Sequence, residues 1–266
     1  MVADMVRNVG GDLVEVVQLM GEGVDPHLYK ASPGDIRALN KAELIFYSGL
    51  HLEGKMADVF VRMARTKPTY AVTERIGEER ILETGDQQFD PHVWFDVGLW
   101  SSTADVVAKA LGEYDPTHAK EYEAAAQRHR DELKQLDEEV RQLIAEIPAE
   151  QRVLVTAHDA FHYFGRAYDI EVRAIQGIST EDEASVREIN ELIEFIGQRQ
   201  IKAVFVETSI SERNVRSLIE GCQSAGHEVI VGGELYSDAM GDPATPEGTY
   251  IGMVRHNAQT IVNALK

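Results

Sequence analysis

PTHAKEYEAAAQRHRDELKQLDEEVRQLIAEIP, residues Pro116 to Pro148, is the stretch whose reading decides the fold. Between Thr117 and Ile147 it holds no glycine and no proline. Alanine, glutamate, glutamine, lysine, arginine and leucine dominate, all good helix formers. At 1.5 Å rise per residue the segment predicts a rod of about 45 Å. Leu133, Leu136, Val140, Leu143, Ile144 and Ile147 form one apolar stripe to pack on a body, and the other faces are charged. Pro148 stops the rod.

Outward from this rod, helical and extended patterns alternate on both sides. Before it, Met5, Val9, Leu13, Val16, Val17 and Met20 give helical periodicity over 2–20, interrupted at Gly10-Gly11, which reads as a turn or a helix end. SPGDIRALNKA (32–42) reads as a helix with Ser32 at the N-cap and Pro33 in its first turn. Strands are predicted at 43–49 and 68–73, with a helix at 52–65 between them. Asp96 then caps a helix running to about Leu111. After the rod, strands are predicted at 152–157, 170–177, 202–208 and 227–233. Helices are predicted at 161–169, 185–198, 212–226 and 249–266. Strands separated by helices imply parallel sheets. The expected fold is therefore α/β: two lobes, each with a mostly parallel sheet flanked by helices, joined by one long rigid helix. The boundaries are 1–115 for the N-terminal lobe, 116–148 for the helix and 149–266 for the C-terminal lobe.

Composition narrows the function. The 266 residues carry a net charge of −19, which repels nucleic acid and anionic lipid and favours the approach of cations. The single cysteine, Cys222, excludes an internal disulfide and a cysteine-based zinc site, and reads as a passive thiol. No run of 18 or more apolar residues is present to span a bilayer, and MVADMVRNVGGDLVEVV shows no signal-peptide pattern. The phosphate-loop, dinucleotide and serine-elbow strings G-x-x-x-x-G-K-[ST], G-x-G-x-x-G and G-x-S-x-G do not occur.

The polar residues that follow strands carry the chemistry, because ligands bind beyond the carboxyl ends of parallel strands. His158 follows 152–157, Glu207 closes 202–208, and Asp238 comes soon after 227–233. Two of the nine histidines sit in one repeated tripeptide, Asp-Pro-His, at Asp25-Pro26-His27 and Asp90-Pro91-His92. Proline stiffens each loop, and Asp25 and Asp90 can accept a hydrogen bond from the far ring nitrogen or from local backbone. His27, His92, His158 and Asp238 make a mixed set of three imidazoles and one carboxylate. That set suits zinc, with manganese or iron as further candidates. The bland alternative is that each Asp-Pro-His is a solvated turn. His162 reads as packing and His51 as a loop residue. His118, His129, His227 and His256 read as solvated or packed. Glu207 reads as a carboxylate behind the ligands, and Trp94 and Trp100 read as core.

Several blocks in order resemble one family: GVDPHLYKASPGDIRALNKAELIFYSGLHLEGKM, DPHVWFDVGLW, VTAHDAFHYFGRAYDIEV, AIQGISTEDEAS, VFVETSISER and LYSDAMGDPATPEGTYIGMVRHNAQTIVNAL. They are similar to the metal-binding solute-binding proteins of zinc/manganese ABC importers, the TroA-like family (cluster A-I), over nearly the whole chain. The resemblance implies two α/β lobes with the metal buried between them, and ligands at His27, His92, His158 and Asp238. It implies a receptor outside the cytoplasm, periplasmic or extracellular and membrane-associated, that captures Zn2+ or Mn2+ and delivers it to an ABC permease. The expected partners are that ion and the permease, with no nucleic acid and a monomeric state, and no enzymatic activity is expected. The rivals are a zinc-dependent hydrolase using the three histidines and a metal-stabilised surface adhesin. His158 tilts the ion towards zinc. ILETGDQQFDPH lacks the long His- and Asp-rich loop of dedicated zinc importers, which tilts it back towards manganese or broad specificity. Family members begin with a signal or lipoprotein peptide and a strand before the segment matching MVADMVRNVGGD, so the N-terminal lobe is expected to lack its first strand.

Overall fold

The computed structural model of the chain describes residues 1–84, 88–181 and 184–266. The loop read in ILETGDQQFDPH and the block AIQGISTEDEAS each fall partly outside these residues. Two compact units are formed, Met1–Asp137 and Glu138–Lys266. The division falls inside the long helix, α6, which covers Ala119–Ala145.

The first unit holds α1 (Val2–Gly10), α2 (Pro33–Lys41), α3 (Ala57–Ala64), α4 (Val97–Ser101) and α5 (Thr103–Tyr114). Its strands are β1 (Ile45–Tyr47), β2 (Thr69–Ala71), β3 (Glu83–Thr84) and β4 (Gln88–Phe89). β1 and β2 pair parallel, with Ile45 opposite Thr69. β3 and β4 pair antiparallel, a pairing that no sequence pattern announced. Helix α2 starts as its residues predict: Ser32 Oγ accepts from Asp35 N, and the Asp35 carboxylate accepts from Ser32 N. Leu39, Ile45, Met56, Phe60 and Met63 form the core joining α2, β1 and α3.

Two helix predictions are corrected here. α1 ends at Gly10, at the interruption expected as a turn or helix end, and a short 3-10 turn follows at Gly11–Leu13; the helical pattern does not resume over 14–20. Gly11 takes φ +54°, and Val14 is already extended. The β-branched Val14, Val16 and Val17 have weak helical preference to carry the helix past that break. The helix expected from Asp96 is split at Ser102 into α4 and α5 and runs on to Tyr114. At the split, Ser102 and Thr103 hydroxyls donate to the carbonyls of Leu99 and Trp100 at 2.7 and 2.8 Å, competing with helix continuation.

α6 has 27 residues. Its buried positions Leu133, Leu136, Val140 and Ile144 match the expected stripe, which extends back through Tyr122, Ala126 and His129. It stops at Ala145, short of Pro148, with i to i−3 bonds from Glu146 and Ile147 tightening the end.

The second unit holds β5 (Val153–His158), α7 (His162–Tyr168), β6 (Glu171–Gln176), α8 (Val186–Arg199), β7 (Ala203–Glu207), α9 (Arg213–Ser224), β8 (Ile230–Leu235) and α10 (Tyr250–Leu265). β5 pairs parallel with β6, and β7 pairs parallel with β8. All six residues of β5 are buried, as expected of a parallel strand covered on both faces. Val155, Val204, Val206, Ile196, Leu218 and Cys222 meet in one core cluster, so the cysteine is packed and its thiol pKa is pushed up by burial. β8 begins three residues later than predicted. His227 is drawn off instead to the Ile201 carbonyl, 2.7 Å from its Nε2. At Gly232 and Gly233 the strand bulges, with Gly233 at φ +152°, and α10 packs hard against it. No helix among the described residues is long and apolar enough to cross a membrane.

Candidate metal centre

The candidate donors are loop or strand-end residues: His27 and His92 in the first unit, His158 and Asp238 in the second. In the first unit, Gly23 at φ +64° turns the chain into Asp25-Pro26-His27. Asp25 Oδ1 accepts from the backbone N–H of His27 at 2.8 Å, closing an Asx turn. The second copy is built the same way: Asp90 Oδ1 accepts from the backbone N–H of His92 at 2.9 Å. It also lies 2.7 Å from His92 Nδ1. A carboxylate at Nδ1 favours the tautomer whose lone pair lies on Nε2. Trp94 packs edge-on to that ring, with centroids 5.2 Å apart.

The two copies converge. His27 Nε2 and His92 Nε2 are 3.3 Å apart, and the rings tilt 51° to each other. Both histidines are buried. Two imidazole lone pairs at this range repel unless a proton or a cation lies between them. A buried pair of this geometry is therefore a ready bite for a positive charge.

In the second unit the candidate donors stand at or just beyond the carboxyl ends of parallel strands. His158 is the last residue of β5, opposite Gln176, rather than the first residue beyond the strand. Glu207 ends β7 and receives both N–H groups of His158. Oε1 is 2.9 Å from the backbone nitrogen and Oε2 is 2.5 Å from Nδ1. Thr156 Oγ1 donates to the His158 carbonyl at 2.9 Å, so the backbone of His158 is held from both sides. His158 Nε2 lies 3.4 Å from Asp238 Oδ2, three residues beyond β8. Burial alone would lower the His158 pKa. The Glu207 and Asp238 carboxylates outweigh it and hold the ring well above the usual histidine value in the metal-free protein.

His162, His118, His129 and His256 engage other groups. His162 Nε2 pairs with Asp159 at 3.0 Å. His118 pairs with Asp115 at 2.6 Å, and the buried His129 lies 3.3 Å from Glu132. His256 bonds the Glu234 carbonyl at 3.1 Å, and His51 is exposed at φ +63°. Trp94 and Trp100 are fully buried. Two residues without a role in the sequence analysis bond next to candidate donors: Thr156 to the His158 carbonyl, and Asn257 to Tyr236, two residues before Asp238. The signal for Asn257 was present. It lies on the apolar stripe of α10 with Met253, Val254, Ala258 and Ile261, where an amide needs a reason.

Small parallel sheets carrying polar donors at their carboxyl ends define a helix-rich α/β binding protein. The chain belongs to the family described as zinc-uptake complex component A, periplasmic, which it matches over residues 1–264. It is 47% identical over 266 residues to the manganese-binding lipoprotein MntA of Bacillus subtilis, covering 100% of this chain and 87% of MntA. It is 49% identical over 265 residues to the zinc-binding protein TroA of Treponema pallidum, covering 100% of this chain and 86% of TroA. The solved structure of that periplasmic zinc-binding TroA matches with a TM-score of 0.98, covering 100% of this chain and 96% of that one.

Proposed function

We propose that this chain is the metal-capturing component of an ABC importer, working outside the cytoplasmic membrane, and that His27, His92, His158 and Asp238 together bind one divalent cation. The observation that carries the reading is the matched preparation of His92 and His158. Each ring has its Nδ1 held by a buried carboxylate, Asp90 or Glu207, which directs Nε2 to a second donor. This carboxylate–imidazole arrangement orients metal-binding histidines and raises their basicity. Family membership supports transport over the hydrolase and adhesin rivals.

Zn2+ and Mn2+ are the cargo we assign. Three imidazole nitrogens and a carboxylate suit zinc in four-coordination, and manganese if the carboxylate binds through both oxygens. The relatives named for zinc and for manganese match this chain almost equally well. Capture requires no bond chemistry: neutral imidazoles and an ionised carboxylate take the ion, and release hands it to a permease. The acidic surface, net −19, raises the local cation concentration. Elemental analysis of the protein purified from its own host, with a competition titration of Zn2+ against Mn2+, tests the assignment. About one ion per chain is expected, bound much more weakly in His92→Ala and in Asp238→Ala; wild-type affinity in either variant would overturn it.

A further inference from the structure

We infer that Asn257 is a positioning residue that sets where Asp238 stands relative to His158. The inference rests on the reading of Asp238 as a metal ligand. Asn257 is almost fully buried on the apolar stripe of α10, and both ends of its amide are spent on one residue. Its Oδ1 accepts from the backbone N–H of Tyr236 at 3.0 Å, and its Nδ2 donates to the Tyr236 carbonyl at 2.7 Å.

The place of this clamp is what matters. β8 ends at Leu235, and the bond from Thr208 N to the Leu235 carbonyl, 3.1 Å long, lies at that end. Tyr236 is the next residue. Its N–H belongs to the peptide before it and its C=O to the peptide after it, so the two bonds orient both peptide planes. The chain leaves that fixed point through Ser237, whose hydroxyl lies 3.1 Å from that of Ser209, and reaches Asp238 two residues on. Asp238 Oδ2 then lies 3.4 Å from His158 Nε2.

Docking of α10 on the sheet does not depend on this amide. Added side-chain atoms at Gly232 and Gly233 would strike Ala264 and Thr260, and His256 bonds the Glu234 carbonyl, so the helix meets the strand closely on its own. The Asn257 clamp acts beyond these contacts, on the departing loop.

A thermodynamic cycle tests this. The affinities of Zn2+ and of Mn2+ are measured by competition with a chromogenic chelator in the wild type, Asn257→Ala, Asn257→Asp, Asp238→Ala and the Asn257→Ala/Asp238→Ala double variant, with thermal unfolding of each. Asn257→Ala is expected to weaken binding about tenfold or more, in the range seen for groups that orient a ligand. In the Asp238→Ala background its further effect should shrink to about twofold or less, because a residue acting through Asp238 has nothing left to act on. Asn257→Asp keeps the acceptor for Tyr236 N–H, loses the donor to its carbonyl, and should fall between. If Asn257→Ala does not fold, the same cycle is read with Asn257→Asp. Wild-type affinity in the Asn257 variants alongside weakened Asp238→Ala, or losses that multiply in the double variant, would overturn the inference and leave the metal reading standing. Unchanged affinity in Asp238→Ala would overturn both.

Discussion

Glu207 takes both N–H groups of His158, the backbone one on Oε1 at 2.9 Å and the ring Nδ1 on Oε2 at 2.5 Å. One carboxylate at the end of β7 thereby fixes position, ring rotation and tautomer of a residue at the end of β5. The Asp90 carboxylate does the same for His92 within a single tripeptide. The first device depends on two strands lying side by side, and the second is local.

Replacing Glu207 should therefore cost binding without touching a donor atom. In Glu207→Gln the amide keeps a single oxygen acceptor for the two N–H groups of His158, so either the ring or the backbone loses its partner. Affinity for Zn2+ should fall about 10- to 100-fold, as for other residues that orient ligands. A competition titration showing wild-type affinity would remove Glu207 from the site.

Metal should stabilise the fold by mass action. At free Zn2+ of 100 times the dissociation constant, the gain is about 2.7 kcal/mol. Thermal unfolding with and without a chelator should show this rise in the wild type and none in His92→Ala. An equal rise in both would place the stabilising ion elsewhere.

Metal capture should release a proton. In the metal-free protein His158 is held protonated well above pH 6.5 by Glu207 and Asp238. Because its folded pKa is raised, this group stabilises the metal-free fold fully below the unfolded pKa. The contribution is lost as pH rises through the folded value. Metal binding runs the other way and weakens as pH falls, because the ion competes with that proton. Calorimetry in buffers of different ionisation enthalpy should report about one proton released per ion near neutrality, and less in His158→Ala. No buffer dependence in the wild type would contradict the protonated state.

A second titration lies away from the site. The hydrogen bond from His118 to Asp115 holds the His118 pKa above 6.5 and the Asp115 pKa below 3.8. The histidine's contribution is present below its unfolded pKa and is lost as pH rises through the folded one. The aspartate's is present above its unfolded pKa and is lost as pH falls through the folded one. An NMR titration should find the His118 midpoint above the ordinary value and back near it in Asp115→Asn. The same midpoint in both proteins would show that the pair is not formed in solution.

Close packing of α10 on β8 gives a stability test. A Cβ at Gly232 would come 2.8 Å from Ala264 Cβ and 3.0 Å from Ala203 Cβ. Gly232→Ala should destabilise by about 1–3 kcal/mol through overpacking. Urea unfolding with an unchanged midpoint would mean that the helix shifts freely.

Elements whose signals are local were legible without coordinates. Ser32 and Ser185 cap α2 and α8 through boxes written within four residues of sequence. α6 follows from its composition and its stripe. The two Asp-Pro-His tripeptides could be read as prepared histidines because the preparing aspartate is two residues away. The misreadings lie where competition was non-local or subtle. β8 shifted because His227 found the Ile201 carbonyl, and the Asp96 helix split on two hydroxyls that bond backwards.

Residue order alone thus determined the helices, the alternation with parallel strands and the candidate donors, since each rests on neighbours along the chain. Only the tertiary structure decided that His27 and His92 meet through Nε2, that Glu207 rather than a nearer carboxylate holds His158, and that Asn257 grips Tyr236. These are contacts between residues 65, 49 and 21 positions apart, whose partners are chosen by strand pairing and helix packing. No periodicity or spacing in a single chain encodes them.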